Sequence, residues 1–164
     1  MRRRIVFLGT LAPVVFSVTI GLFSTLSLAV KRPQTPKRKI FAQKLVEEAV
    51  LEHPNVTSIE MAAQFSHGCS TIAATNPKDI GETCDRDELE AMRTGEPWVE
   101  EESDGFDITV PLRDPGRNTI GTVGMDFKPE PGQQRSTVVE QAKKIVQELE
   151  TQIPSKAKLF EPAQ

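Results

Sequence analysis

Ile108-Thr-Val-Pro-Leu-Arg-Asp-Pro-Gly-Arg-Asn-Thr-Ile-Gly-Thr-Val-Gly-Met-Asp-Phe127 decides the fold, because two runs of strand-forming residues lie on either side of one strong turn. Asp114-Pro-Gly116 supplies that turn: proline presets φ, and glycine accepts conformations that other residues avoid. After it, side chains alternate along a strand over 119–128. Ile120, Thr122, Gly124 and Asp126 fall on one face, and Val123, Met125 and Phe127 on the other. The second face is apolar and predicts a helix packed against it. Gly121 and Gly124 either let a helix approach or leave room for a ligand.

The elements on either side follow from the same periodicities. Strands over 98–102 and 106–112 are joined by a tight turn at Asp104-Gly105. A short acidic helix over 85–92 precedes them, stopped by Gly95 and Pro97. Strands over 56–63 and 70–74 are joined by a loop holding Ser66-His-Gly68, and Asn76-Pro77 and Gly81 punctuate the loop that follows. A helix over 40–52 carries an apolar stripe of Phe41, Leu45, Val46, Ala49 and Val50, ended by Pro54 and Asn55. Beyond Pro129 and Pro131, a helix over 136–153 carries Val138, Ala142, Ile145 and Leu149 at helical spacing. Thr137 and Glu140 are spaced for a capping box at its start. The order predicts an α+β domain with a largely antiparallel five-stranded sheet flanked by N- and C-terminal helices.

Composition bounds the compartment and the partners. Arg2, Arg3 and Arg4 precede an uncharged run over 5–30, which reads as a signal peptide or membrane anchor over residues 1–30. Ser27-Leu-Ala29 offers small residues for cleavage, yet the run is long enough to span a bilayer uncut. Residues 31–39 form a basic, proline-containing linker: Lys31, Arg32, Lys37, Arg38 and Lys39 would favour the cytoplasmic side by the positive-inside rule, or touch anionic headgroups. All 23 acidic residues lie beyond Lys39, against 12 basic ones, the other eight of the 20 falling earlier. An acidic domain of this kind lacks the basic surface that nucleic acid requires. Residues 40–153 suit one domain with one core, and 154–164 are expected as a C-terminal tail.

Three punctuated segments stand in sequence within this domain: Ile72-Ala-Ala-Thr-Asn-Pro-Lys-Asp-Ile-Gly81, Asp87-Glu-Leu-Glu-Ala-Met-Arg-Thr-Gly-Glu-Pro97, and the stretch 108–127. Together they resemble the Cache family of PAS-like periplasmic or extracellular sensor domains, over most of the chain beyond Lys39. The resemblance implies a PAS-like topology and a pocket over one sheet face, walled by the helix and loops that follow the second strand. Gly124-Met-Asp-Phe127 looks like the family's final strand, whose aspartate often meets the amino group of the ligand, so Asp126 is the first candidate for ligand binding. The chain has no tyrosine, where amino-acid-binding members use several, and the ligand class stays open. Roadblock and profilin-type folds have similar ingredients, against which the leader argues. The chain ends at Gln164, so the expected role is sensory or accessory, without an output domain of its own.

Asp107 and Thr109 alternate away from Ile108 and Val110 and share a face that lines the same pocket or meets solvent. Trp98 is a stacking wall for a ligand or half-buried core. A ligand amine, or an internal arginine such as Arg93, would balance Asp126. Cys69 and Cys84 are the only cysteines; in an exported domain they are expected as a disulfide worth about 3 kcal/mol in the chain-entropy account, two free thiols being the alternative. With His67 they supply three potential ligands where structural zinc wants four, so no metal and no cofactor is expected. His53 reads as a helix-end residue, and Glu100, Glu101 and Glu102 as a solvated strand edge. Phosphate loops and nucleophile elbows are absent from the sequence, so an enzyme is not the expectation. A periplasmic enzyme and a dimerisation module with a filled pocket remain the rival readings, and a small molecule, a second copy of the chain or a separate receptor the open partners.

Overall fold

The computed structural model describes residues 39–103, 105–128 and 130–164. The expected signal peptide or anchor over 1–30, and the linker up to residue 38, lie outside the described residues, within which no helix is long and apolar enough to cross a membrane. The chain runs α1 (Phe41–Glu52), β1 (Val56–Phe65), β2 (Gly68–Ala74), α2 (Arg86–Thr94), β3 (Trp98–Glu102), β4 (Gly105–Arg113), β5 (Thr119–Phe127) and α3 (Arg135–Gln152), then a 3₁₀ turn at Lys156–Phe160. The five strands form one sheet in the order β2-β1-β5-β4-β3, antiparallel at every step. The central strand is β5, so the α+β class and the antiparallel five-stranded sheet stand as read from sequence.

The core lies on one face of this sheet. From α1, Ala42, Leu45, Val46 and Ala49 are buried, and from α3, Val138, Ala142, Ile145, Val146 and Leu149. They close over Ile59, Met61, Ile108, Val123, Met125 and Phe127. Each fully buried side chain of this size contributes about 1.5–3 kcal/mol, which is why the two apolar stripes fix where the helices sit. Ile120 joins the same apolar cluster instead of the Thr122, Gly124 and Asp126 face; the pairing of β4 with β5 shifts register between Leu112 and Arg113, beside it.

No capping box forms at Thr137 and Glu140: α3 begins at Arg135 with Gln134 as its N-cap, without a side-chain cap, so Thr137 is already inside the first turn. The box is instead at α2, where Asp85 and Glu88 cap each other's backbone, and Gly95, at φ 73°, ends that helix in the left-handed conformation. Residues 154–164, expected as a C-terminal tail, return to the domain. Leu159 is buried in the core, and backbone bonds from Phe41 to Glu161 and from Ala163 to Lys39 tie this segment to the start of α1.

Gly121 accommodates neither a helix nor a ligand. A Cβ there would stand 1.9 Å from the Ala62 carbonyl oxygen, so its bareness lets β1 and β5 pair where Ala63 faces Gly121.

Candidate functional site

The opposite face of the sheet carries the polar side chains of the same strands. Strand register sets its floor as two rows: Ser58, Asp126 and Asp107 lie across β1, β5 and β4, and Glu60, Gly124 and Thr109 lie across the same strands two residues along. α2 and the loop after β2 rise beside this floor and enclose a cavity of about 240 Å³. The loop brings Glu82, Thr83 and Asp85 to the cavity, α2 brings Asp87 and Glu88, and β2 brings Thr71. Its lining includes seven carboxylates and no lysine, arginine or histidine.

The loop wall has a definite anchor. Cys69 of β2 and Cys84 are joined in a disulfide, and the backbone of β2 pairs with the loop through Thr71 to Glu82, Gly81 to Thr71 and Cys84 to Cys69. Both cysteines are buried with Ala62, and Met92 of α2 packs on them. The bridge therefore fixes the wall segment immediately before the Asp85 cap of α2.

Crowding of carboxylates sets the electrostatics. Burial pushes Glu60 up to about 7, helped by Asp79, with which it hydrogen bonds, and by Glu82 and Asp126. Burial likewise pushes Asp107 up to about 7, with Asp126, Asp87, Glu102 and Glu100 adding repulsion. Glu88 is pushed up to about 7 by burial and then by the hydrogen bond it shares with Asp85, and that same bond holds Asp85 below its ordinary value. Asp87 is raised by burial, then by Glu100 and Asp85. Desolvation and like charge both disfavour the ionised forms, so a positive group entering the cavity would relieve both.

The structure brings Asp126, Asp107 and Thr109 together as expected, with different weights. Asp126 is exposed at the rim, so the expected cost of burying it does not arise, and Asp107 across the strand pair is the more enclosed. Arg93 does not balance Asp126; it is exposed and bonds Glu90 at 2.6 Å. Trp98 shares the Thr109 register but does not line the cavity, and its ring lies under the Arg86 guanidinium at 5.1 Å. His53 caps α1 and contacts Glu148. Sequence reading missed Glu60, Glu82, Asp85, Asp87 and Glu88. One signal was available: Glu60 is a charge between Ile59 and Met61, in a strand whose neighbours are buried. The residues from the loop and α2 reach the cavity only through tertiary closure and left no local pattern.

No protein-family model matches the sequence, and no curated protein matches it. Among solved structures, the chain is similar to the type II free methionine-R-sulfoxide reductase of Thermoplasma acidophilum, at 15% identity and TM-score 0.52, covering 73% of this chain and 92% of that one. It is also similar to the inducer-binding domain of the Acinetobacter transcription factor PobR, solved with 3-hydroxybenzoic acid, at 13% identity and TM-score 0.49, covering 72% and 98%. The Agobacterium tumefaciens repressor BlcR aligns at 6% identity and TM-score 0.46, over 70% and 67%. At this identity the likeness to the reductase shows a shared fold. The fold and site together define a five-stranded α+β domain with a carboxylate-lined cavity between the sheet and α2.

Proposed function

We propose that this is an exported domain that binds a small, polar, positively charged ligand, in a sensory or accessory role. The observation that carries this reading is the cavity itself: seven carboxylates and no cationic side chain line a concave space over one sheet face. The sheet order β2-β1-β5-β4-β3 and the pocket beside the segment after β2 agree with a PAS-like domain of the Cache type. The disulfide agrees with an oxidising, periplasmic or extracellular compartment. The open cavity speaks against the rival in which side chains fill a degenerate pocket.

A second reading, a periplasmic enzyme, is favoured by one observation: Glu60, Glu88 and Asp107 are pushed up to about 7 inside a cleft, where carboxyl groups can hold or take a proton near neutral pH. Small molecules carried through native purification, identified by mass spectrometry, separate the two readings. Binding predicts a cationic compound recovered unchanged; a product or a turned-over substrate favours the enzyme. Asp126→Asn is expected to weaken an amine ligand by about 1–3 kcal/mol in calorimetry while the fold is kept. Unchanged affinity removes Asp126 from the site.

A further inference from the structure

Two carboxylates of the cavity, Glu60 and Asp107, stand apart on the sheet floor, each with acidic neighbours of its own. Glu60 on β1 feels the charges of Asp79 and Glu82, and Asp107 on β4 those of Asp87, Glu102 and Glu100. Asp126 acts on both from the rim between them. Glu60 and Asp107 occupy opposite corners of the two-row grid, two strands and two residues apart. From ordinary strand spacings their Cα atoms are about 12 Å apart, and side chains reaching inward shorten the gap between carboxylates.

The middle of the floor is bare. Gly124 has no side chain, and the nearest atom that a Cβ there would meet is Thr109 Oγ1 at 3.7 Å. Thr109 itself is only 4% exposed and lines the cavity, yet its hydroxyl enters none of the side-chain hydrogen bonds among the described residues. That hydroxyl is not sealed away as the unpartnered one of Thr122 is; it opens on the cavity beside an empty floor position and can meet a ligand independently of the acidic groups. The acidic groups do not converge as metal ligands do: among the described residues no three His, Cys, Asp or Glu side chains are placed to hold a metal ion.

We propose that the cavity takes a linear diamine or oligoamine, one ammonium group at the Glu60 and Glu82 end and a second at the Asp107 and Asp87 end, with the carbon chain crossing Gly124. This rests on the reading of the site as a binder of a positively charged ligand and adds the number and placement of the charges. Each ammonium group replaces carboxylate repulsion with attraction at its own end, and a chain with one charge can satisfy only one end. The Thr109 hydroxyl is left to accept from an ammonium or secondary amine passing beside it.

Calorimetry of the full chain at pH 8 and physiological salt, with 1,4-diaminobutane, 1-aminobutane and calcium chloride as separate titrants, tests the proposal. The diamine is expected to bind at least about tenfold more tightly than the monoamine. Glu60→Gln and Asp107→Asn are each expected to bring the diamine down to the level of the monoamine, because each leaves one end intact. If either variant fails to fold, Glu82→Gln and Asp87→Asn remove charge from the same two ends. Equal affinity for the two amines overturns the two-ended site while leaving the single-charge reading standing. Calcium binding as tight as the diamine overturns the proposal in favour of a metal ion, and no binding by any titrant removes both readings.

Discussion

On one face of the sheet Ile59, Met61, Val123 and Phe127 are sealed under α1 and α3, whereas on the other Glu60, Gly124 and Asp126, their chain neighbours, line a cavity. The backbone is shared, and period-two alternation alone sorts the two sets of side chains. On the apolar face close packing leaves little freedom. On the polar face the mutual repulsion of carboxylates is held in place by the rigidity of the first. Gly121 and Gly124 carry the same contrast within one strand: one is bare so that strands can pair, the other so that the cavity floor is open.

The glycine pair breaks or sharpens that contrast most strongly. Gly121→Ala would drive a methyl into the Ala62 carbonyl oxygen at 1.9 Å, backbone that cannot swing aside. It is expected to cost about 3 kcal/mol or more by chemical denaturation. Gly124→Ala meets only Thr109 Oγ1 at 3.7 Å and is expected to change stability by no more than about 0.5 kcal/mol while weakening amine binding. Equal destabilisation by the two would show that the cavity floor is as tightly packed as the strand pairing.

The disulfide comes next in size. Cys69→Ser with Cys84→Ser should cost about 3 kcal/mol in the chain-entropy account, and should also loosen the Glu82 and Asp85 wall. The expected signature is faster amide hydrogen exchange over 79–88 than in α1 and α3. Uniform loosening of both faces would show that the bridge supports the whole fold and not the cavity wall.

A smaller effect follows from the titrating carboxyls. Glu60, Glu88 and Asp107 move from ordinary values of 4.5, 4.5 and 3.8 up to about 7 in the folded protein. The folded state therefore holds more protons than the unfolded one. Their stabilising contribution is fully present below about pH 4 and is lost as the pH rises toward 7. The ligand-free chain should thus lose thermal stability from these groups between about pH 4 and 7, and Glu60→Gln should melt higher than the unmodified chain at pH 8, by a few degrees on the order of the usual relation for small domains. A lower melting temperature for Glu60→Gln at pH 8 would mean that the ionised Glu60 is already balanced.

How much was legible in sequence divides along the same two faces. Leu45, Val46 and Ala49 on α1, and Val138, Ala142, Ile145 and Leu149 on α3, announced their helices because burial of a stripe is a local, periodic signal. Strand positions were read to within a few residues, and the Cys69 and Cys84 pairing followed from their number. The polar face was read only where it lies on strands: Asp107 and Thr109 were found by alternation, and Asp126 through the resemblance of its strand to the last strand of Cache domains. Glu82 and Asp85 arrive through a loop clasped to β2, and Asp87 and Glu88 through the placement of α2, none of which leaves a periodic trace. Trp98 has the right register but is drawn under Arg86, a side-chain choice that spacing cannot specify.

The central claim is that these carboxylates form a binding site for positive charge. Its most direct test is calorimetric titration of the full chain with 1,4-diaminobutane at pH 7, repeated in phosphate and in MOPS, whose ionisation enthalpies differ and neither of which is a net cation. Entry of an ammonium group should drive protons off Glu60, Glu88 and Asp107, so the observed enthalpy should differ between the buffers in the direction of proton release. Binding with the same enthalpy in both buffers, or no binding in either, would contradict the account.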